Sequence, residues 1–364
     1  MKHADTEKWA RMPLTRLNAV RTIVVLFIAI GYASTMSPLS DQYEVLRHLG
    51  YDPSWFGLQI LFCLSGYLAF RSLTRHGSSR RYLTSRILRN GPLRAAYTLA
   101  AVAVIYPIFC QSEASLAQEV VKLSKYFITT VLCIDPGARL PGLLDDAKYM
   151  CLIQGAIWTF RWGALMHIAM AIGWRFNILK SKNMLLFLAV FSTLFYGVAG
   201  YFAAKSGLET SFPAFAAIRL GYAFLAGAAL YGWQDKLPQT GLGKATLLVI
   251  FLSLALFQYA SLPWTPGIEI TGTLFWTYLA IVIIQTPMRI TAWMNNWPNI
   301  VLGLYLGNWP VSQTLILLYP DLHGWPLIGI SVLVTTFIAV LTHAAISGHI
   351  NRWAATVLRR EVTI

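Results

Sequence analysis

The chain is built from long apolar runs separated by short polar stretches. Ten runs stand out: Leu17 to Thr35, Ser54 to Phe70, Ala95 to Cys110, Tyr149 to Trp174, Met184 to Ala204, Phe212 to Trp233, Ala245 to Ser261, Ile268 to Gln285, Ile300 to Tyr319 and Leu327 to Ile346. Each is close to the roughly 20 apolar residues that a helix needs to cross a hydrocarbon core. None shows the strict polar–apolar alternation of a half-buried strand. The pattern predicts an all-α polytopic integral membrane protein of about ten transmembrane helices, organised as a single transmembrane domain over residues 1–364. The two longest hydrophilic stretches, residues 71–94 and 111–148, are expected as loops. The second holds an amphipathic segment, Val120 to Ile134, suited to a membrane surface, and then a Pro/Gly-rich stretch from Asp135 to Gly142.

Composition points the same way, since 56% hydrophobic and 12% charged residues exclude an ordinary soluble enzyme. The formal charge of +14 acquires meaning once it is placed on the helices. With the N-terminus inside, 20 of the 29 Lys and Arg fall in inside segments and six outside, while four acidic residues fall inside and ten outside. The positive-inside rule then places both termini and residues 71–94 in the cytoplasm, and residues 111–148 outside, as expected of a protein of the inner cell membrane. The first run is long and carries Arg21, so it is expected to persist as a helix and not to be removed as a signal peptide. Cys63, Cys110, Cys133 and Cys151 have neither metal nor disulfide spacing. No G-x-x-x-x-G-K-[ST], C-x-x-C or H-E-x-x-H pattern occurs, which removes the NTPase, redox and zinc-hydrolase readings and leaves no expected metal site. No inverted repeat of the transporter kind is visible.

Ionisable side chains within apolar helices mark candidate sites, because each is costly against lipid. Arg21 and Tyr32 are eleven residues apart, three helical turns to within about 20°, and so share a face of the first helix. Residues 71–94 carry seven Arg and no Lys, Asp or Glu. Guanidinium forks bind phosphate in bidentate fashion, so the cluster suits a phosphate-bearing ligand, with stop-transfer charge and anionic membrane lipid as competing explanations. A nucleic-acid partner is not expected at a membrane face without an accompanying domain. Arg161, His167 and Arg219 lie in further helices, and each arginine calls for an acceptor or a watered cavity. Gly307-Asn308-Trp309-Pro310 interrupts the ninth run with a proline that frees a carbonyl near Leu306.

Five ordered pieces resemble the bacterial membrane acyltransferase-3 family, whose members O-acylate cell-surface sugars. Leu17-Asn18-Ala19-Val20-Arg21 is similar to its opening L-[DN]-x-[LV]-R, and Gln59 to Leu68 (QILFCLSGYL) to its F-F-x-L-S-G-[FY]-L. Arg86-Ile87-Leu88-Arg89-Asn90-Gly91-Pro92 resembles R-x-x-R-x-x-P, Gly155 to Phe160 (GAIWTF) resembles G-x-[LI]-W-[ST]-[LF], and Leu304 to Val311 (LYLGNWPV) resembles L-Y-L-x-H-x-P-V. The length and helix number also suit the exopolysaccharide members, such as the acetyltransferases that decorate xanthan-like polymers. Tyr32, Gly163 and Asn308 stand where the family has a histidine, an acidic residue and a second histidine.

The resemblance implies an O-acetyltransferase moving an acetyl group from acetyl-CoA, with no resident cofactor, to a sugar hydroxyl of an exopolysaccharide or its lipid-linked precursor. Arg81, Arg86 and Arg89 are the expected holders of the donor phosphates, and Tyr32 and Asn308 the expected groups at the reacting carbonyl, with His167 as proton carrier. Arg21, Ser65, Trp158 and Arg161 are expected to line the substrate pocket. The three replaced positions equally suit a degenerate acyltransferase retained as a scaffold subunit of polysaccharide assembly.

Overall fold

A computed structural model describes residues 14–36, 53–110, 115–135, 139–140, 152–206, 213–238, 240–261, 266–286 and 289–360. Tyr149 to Cys151 and Phe212, expected at two helix starts, lie outside them. The described residues contain no β-strand, and their helices are α1 (Leu17–Met36), α2 (Pro53–His76), α3 (Ser79–Phe109), α4 (Leu116–Val131), α5 (Trp158–Arg175), α6 (Lys182–Lys205), α7 (Pro213–Gly232), α8 (Gly241–Ser261), α9 (Pro266–Gln285), α10 (Val301–Leu318), α11 (Gly324–Thr342) and α12 (Gly348–Arg360). A helix occupies each of the ten expected places. Among the described residues eight stretches are long and apolar enough to cross a membrane, namely α1, α2, α3, α6, α7, α9, α10 and the run beginning at α11. The chain is therefore an all-α polytopic membrane protein. Lipid-facing character shows in α6, where Phe187, Phe191 and Phe195 form an exposed stacked row at i, i+4 spacing.

The expected loop at 71–94 is helical. Residues 71–76 complete α2 and 79–94 begin the 31-residue α3. The connection is two residues long. Gly77 adopts φ 67° and donates its N–H to Leu73 O at 2.8 Å, which ends α2, and Ser78 Oγ then accepts the Arg81 N–H at 3.4 Å, which starts α3. Arginine is a good helix former, so the positive charge of this stretch does not make it irregular. A comparable reversal joins α5 to α6, through Asn177 at φ 65° and the Ser181 N-cap, whose Oγ accepts from Met184 N at 3.4 Å.

The chain divides into two compact units. Unit 1 comprises residues 1–24, 55–83 and 165–297. In it α6 packs on α7, α8 on α9, and α9 also touches α6 and α7. The backbones of α2 and α7 meet at two glycines: a Cβ on Gly66 would lie 1.8 Å from Phe224 O, and one on Gly227 1.7 Å from Cys63 O. Only hydrogen fits at either place, the small-residue packing that lets membrane helices approach closely. The exposed carbonyls at the end of α9 are met by Arg16, which donates from Nη1 to Thr286 O at 2.5 Å and Ile283 O at 3.3 Å.

Unit 2 comprises residues 25–54, 84–164 and 298–364. Here α10 packs on α11, and the Tyr97 ring of α3 lies over the groove left by Gly303 and Gly307 of α10. The amphipathic segment expected within 111–148 forms α4, opened by a capping box between Ser115 and Gln118. Its Tyr126 joins Val102, Ile105, Leu140 and Ile153 in a buried apolar cluster. Beyond α11 a π-helical turn, His343–Ser347, leads into the amphipathic α12.

Candidate functional site

Two of the sequence pieces meet Tyr32 inside unit 2. Tyr32 of α1 is 7% exposed and sets its ring edge-on against Trp309 of α10, with centroids 5.3 Å apart, and 6.4 Å from Tyr305 one turn earlier. The 3₁₀ turn Gly155–Ile157 and the first turn of α5 close the other side. Thr159 Oγ1 and the Tyr305 hydroxyl are 2.7 Å apart, the Tyr305 hydroxyl also donates to Ala156 O at 3.1 Å, and Trp309 Nε1 donates to Leu152 O at 3.3 Å. A Cβ on Gly155 would sit 2.1 Å from the Trp309 ring. Glycine is thus required in the G-A-I-W-T-F piece so that the aromatic ring of the L-Y-L-G-N-W-P piece can lie flat against it.

Asn308 lies between Tyr305 and Trp309 in the α10 sequence and is 1% exposed. Its Nδ2 donates to Ser331 Oγ of α11 at 3.2 Å, and Ser312 links the same group, 2.5 Å from Ser331 Oγ and donating to Asn308 O at 2.8 Å. That last bond turns the Ser312 hydroxyl back onto the carbonyl four residues earlier, two residues beyond Leu306, whose carbonyl Pro310 leaves without a helical N–H. Asn308 Oδ1 is buried with no hydrogen-bond partner among the described residues. A buried acceptor in that state is a place for a ligand hydroxyl. Close by, Arg94 Nη1 donates to Cys133 Sγ at 3.0 Å, and its guanidinium lies 5.5 Å from the Phe160 ring centroid. Burial pushes the Cys133 thiol above its ordinary pKa, with Arg94 opposing the shift.

The remaining expected site residues are dispersed. Trp158 is half-buried at the first position of α5, whereas Arg161 is exposed one turn on, its guanidinium over the neighbouring Trp162 ring at 5.9 Å. Arg161 therefore stands in the first turn of α5. Arg86, half-buried, and Arg89, exposed, follow one another on a face of α3. Arg21, Ser65, Arg81 and His167 belong to unit 1. Arg21 is half-buried on α1. The Ser65 hydroxyl is turned back to Leu61 O at 2.7 Å, so the S-G pair serves helix packing through Gly66. His167 Nδ1 lies 2.5 Å from the Tyr82 hydroxyl, and its ring packs edge-on against Phe224.

Unit 1 also holds a polar network built on Glu269, which is not among the candidate site residues read from the sequence. Arg219 Nε donates to Glu269 Oε1, the Tyr196 hydroxyl donates to Oε2 at 2.7 Å, and the guanidinium lies 3.9 Å from the Trp55 ring centroid. Tyr196 stacks on Tyr222 at 4.6 Å, and Tyr222 and Thr273 both donate to Gln59 Oε1, the former at 2.6 Å. An isolated arginine in a membrane helix demands such an acceptor, and a search for the nearest acidic residue in another apolar run was the signal available. Among the described residues no cluster of three His, Cys, Asp or Glu side chains is arranged to hold a metal. No family model matches the chain, and no curated protein or solved structure is similar to it.

Proposed function

We propose that the chain is a membrane O-acyltransferase that moves an acetyl group from acetyl-CoA to a sugar hydroxyl of an exopolysaccharide or its lipid-linked precursor. The observation that carries this reading is the convergence of Tyr32, the G-A-I-W-T-F turn and the L-Y-L-G-N-W-P turn, pieces more than 100 residues apart in sequence, on one buried cluster. In the transfer the sugar oxygen bonds to the acetyl carbon, the carbon–sulfur bond breaks, and the hydroxyl proton leaves with the thiolate. Asn308 Oδ1 accepts from the incoming hydroxyl and orients it. The Tyr32 hydroxyl donates to the developing oxyanion. Arg86 and Arg89, one turn apart on α3, bind the donor phosphates on the cytoplasmic side. We assign no step to His167, because its Nδ1 is engaged by Tyr82. Catalysis in this scheme rests on positioning, since neither Tyr32 nor Asn308 is a base near neutral pH.

The test is transfer of label from acetyl-CoA to glycan by purified protein. Tyr32→Phe keeps the ring contacts with Trp309 and removes one oxyanion donor together with the hydroxyl's hydrogen bond to Tyr305, so kcat is expected to fall roughly 10²- to 10³-fold while stability falls by only about 1 kcal/mol. A wild-type protein that labels no glycan of its producing cell defeats the reading. The replaced histidine positions favour one second reading, a scaffold subunit; loss of a scaffold lowers polymer yield, whereas loss of the enzyme lowers only acetyl content.

A further inference from the structure

The two reversals described above, between α2 and α3 and between α5 and α6, lie together in unit 1 and enclose a cleft of ≈ 500 Å³. It is lined by Gly77, Ser78, Ser79 and Arg80 on one side and by Trp174, Arg175, Asn177 and Lys180 on the other. Two bonds tie the walls together: Ser79 Oγ donates to Ala171 O at 2.7 Å, and Trp174 Nε1 donates to Gly77 O at 3.4 Å. The left-handed Gly77 and Asn177 let both chains turn back sharply at the rim.

The charge around this cleft is one-sided. Arg80, Arg175 and Lys180 are exposed, none has an acidic partner among the described residues, and no carboxylate lines the walls. Lys182 differs, because it is paired with Asp235 at 3.7 Å. The Lys180 ammonium stays near the cleft wall, 5.9 Å from the Trp174 ring centroid. The leading N–H groups of α3, at Ser79 and Arg80, have no intrahelical acceptor and add the positive end of a 31-residue helix. The volume falls within the range of small-molecule sites, and three unpaired cations call for a ligand with at least two negative charges.

We propose that this cleft binds a phosphate-bearing anion of nucleotide size, through Arg80, Arg175 and Lys180. Two sources carry such chemistry, the bisphosphorylated adenosine end of coenzyme A and the headgroup of an anionic lipid. If coenzyme A is its ligand, the cleft takes the donor phosphates in place of Arg86 and Arg89; if a lipid headgroup is, those two residues keep them. The choice of coenzyme A rests on the proposed function; the phosphate site itself does not.

The experiment uses the full chain in nanodiscs of neutral phosphatidylcholine, with coenzyme A binding measured by calorimetry for wild type and for R80Q/R175Q/K180Q. All three side chains are exposed, so elution and melting should match wild type, and the singles R175Q and K180Q serve if the triple fails to fold. Each lost charge-assisted hydrogen bond weakens binding by roughly tenfold, so the triple is expected to bind roughly 100-fold or more weakly, and wild-type affinity should fall as salt is raised. Absent coenzyme A binding, but with less anionic lipid co-purifying with the triple than with wild type, the site stands and the headgroup is its ligand. Equal coenzyme A binding and equal lipid retention in both proteins overturn the proposal. Coenzyme A binding without any acetyl transfer would sink the acyltransferase reading alone. Acetyl transfer with an unchanged KM for acetyl-CoA in the triple would sink the cleft as donor site alone.

Discussion

Arg219 and Glu269 form an ion pair whose side chains are 7% and 4% exposed, within apolar helices α7 and α9. Replacing Glu269 with Gln preserves shape and leaves a carbonyl that can still accept from Arg219 and Tyr196, so it removes little but the negative charge. The guanidinium then remains buried with only the Trp55 face and neutral oxygens around it. Breaking one partner of a buried pair costs about 3–5 kcal/mol, and a lone arginine at the centre of a membrane helix costs about 2.5–3.5 kcal/mol on insertion scales, so roughly 3 kcal/mol is expected for E269Q. The double variant R219L/E269L removes both charges and should return to within about 1 kcal/mol of wild type, a strongly non-additive result. Unfolding of the purified protein by titration into mixed micelles with dodecyl sulfate measures E269Q and the four corners of the leucine cycle, namely wild type, R219L, E269L and R219L/E269L. An E269Q protein within about 0.5 kcal/mol of wild type, or a double variant as unstable as the sum of its singles, refutes the reasoning.

Other outcomes follow from the same contacts. Gly227→Ala drives a methyl group into the Cys63 carbonyl, 1.7 Å away, and should lower stability by about 1–3 kcal/mol, seen as a lower melting temperature; an unchanged value would mean that α2 and α7 are not in backbone contact. Ser115→Ala removes the cap of α4 and should cost about 1 kcal/mol, read as faster amide exchange over its first turn. The Cys133 thiol has a raised pKa, so its neutral form contributes stability that is fully present below the ordinary thiol range and is lost as pH rises through the raised value. Its alkylation by iodoacetamide should therefore lag behind that of the less buried Cys110, and the gap should narrow only in alkali; equal rates at pH 8 contradict this.

Helix positions were legible because run length answers directly to the thickness of the hydrocarbon core, although only eight of the stretches are, among the described residues, long and apolar enough to cross it. The same logic misplaced the start of α5. The run from Tyr149 is apolar, but the helix begins only at Trp158, after a 3₁₀ turn that Gly155 needs in order to admit Trp309. Residues 71–94 were read by charge, although Gly77-Ser78, a helix stop followed by a helix start, was already visible as local chemistry. Partnerships were beyond spacing arguments. Arg219 announced its need of an acceptor, yet Glu269 lies 50 residues away, and Tyr32 meets Trp309 through a fold that no periodicity encodes. The cleft of unit 1 was invisible for the same reason, since Ser79 and Ala171, which tie its walls, are 92 residues apart.

Acetyl transfer is the claim on which the functional account stands, and it is tested most directly by the acetyl content of the surface polymer from cells with and without this chain, complemented by wild type and by Tyr32→Phe. The account expects deletion to remove an acetyl group while polymer yield and chain length hold, with restoration by wild type and little by Tyr32→Phe. Unchanged acetyl content, or a fall in yield with acetylation intact, contradicts it.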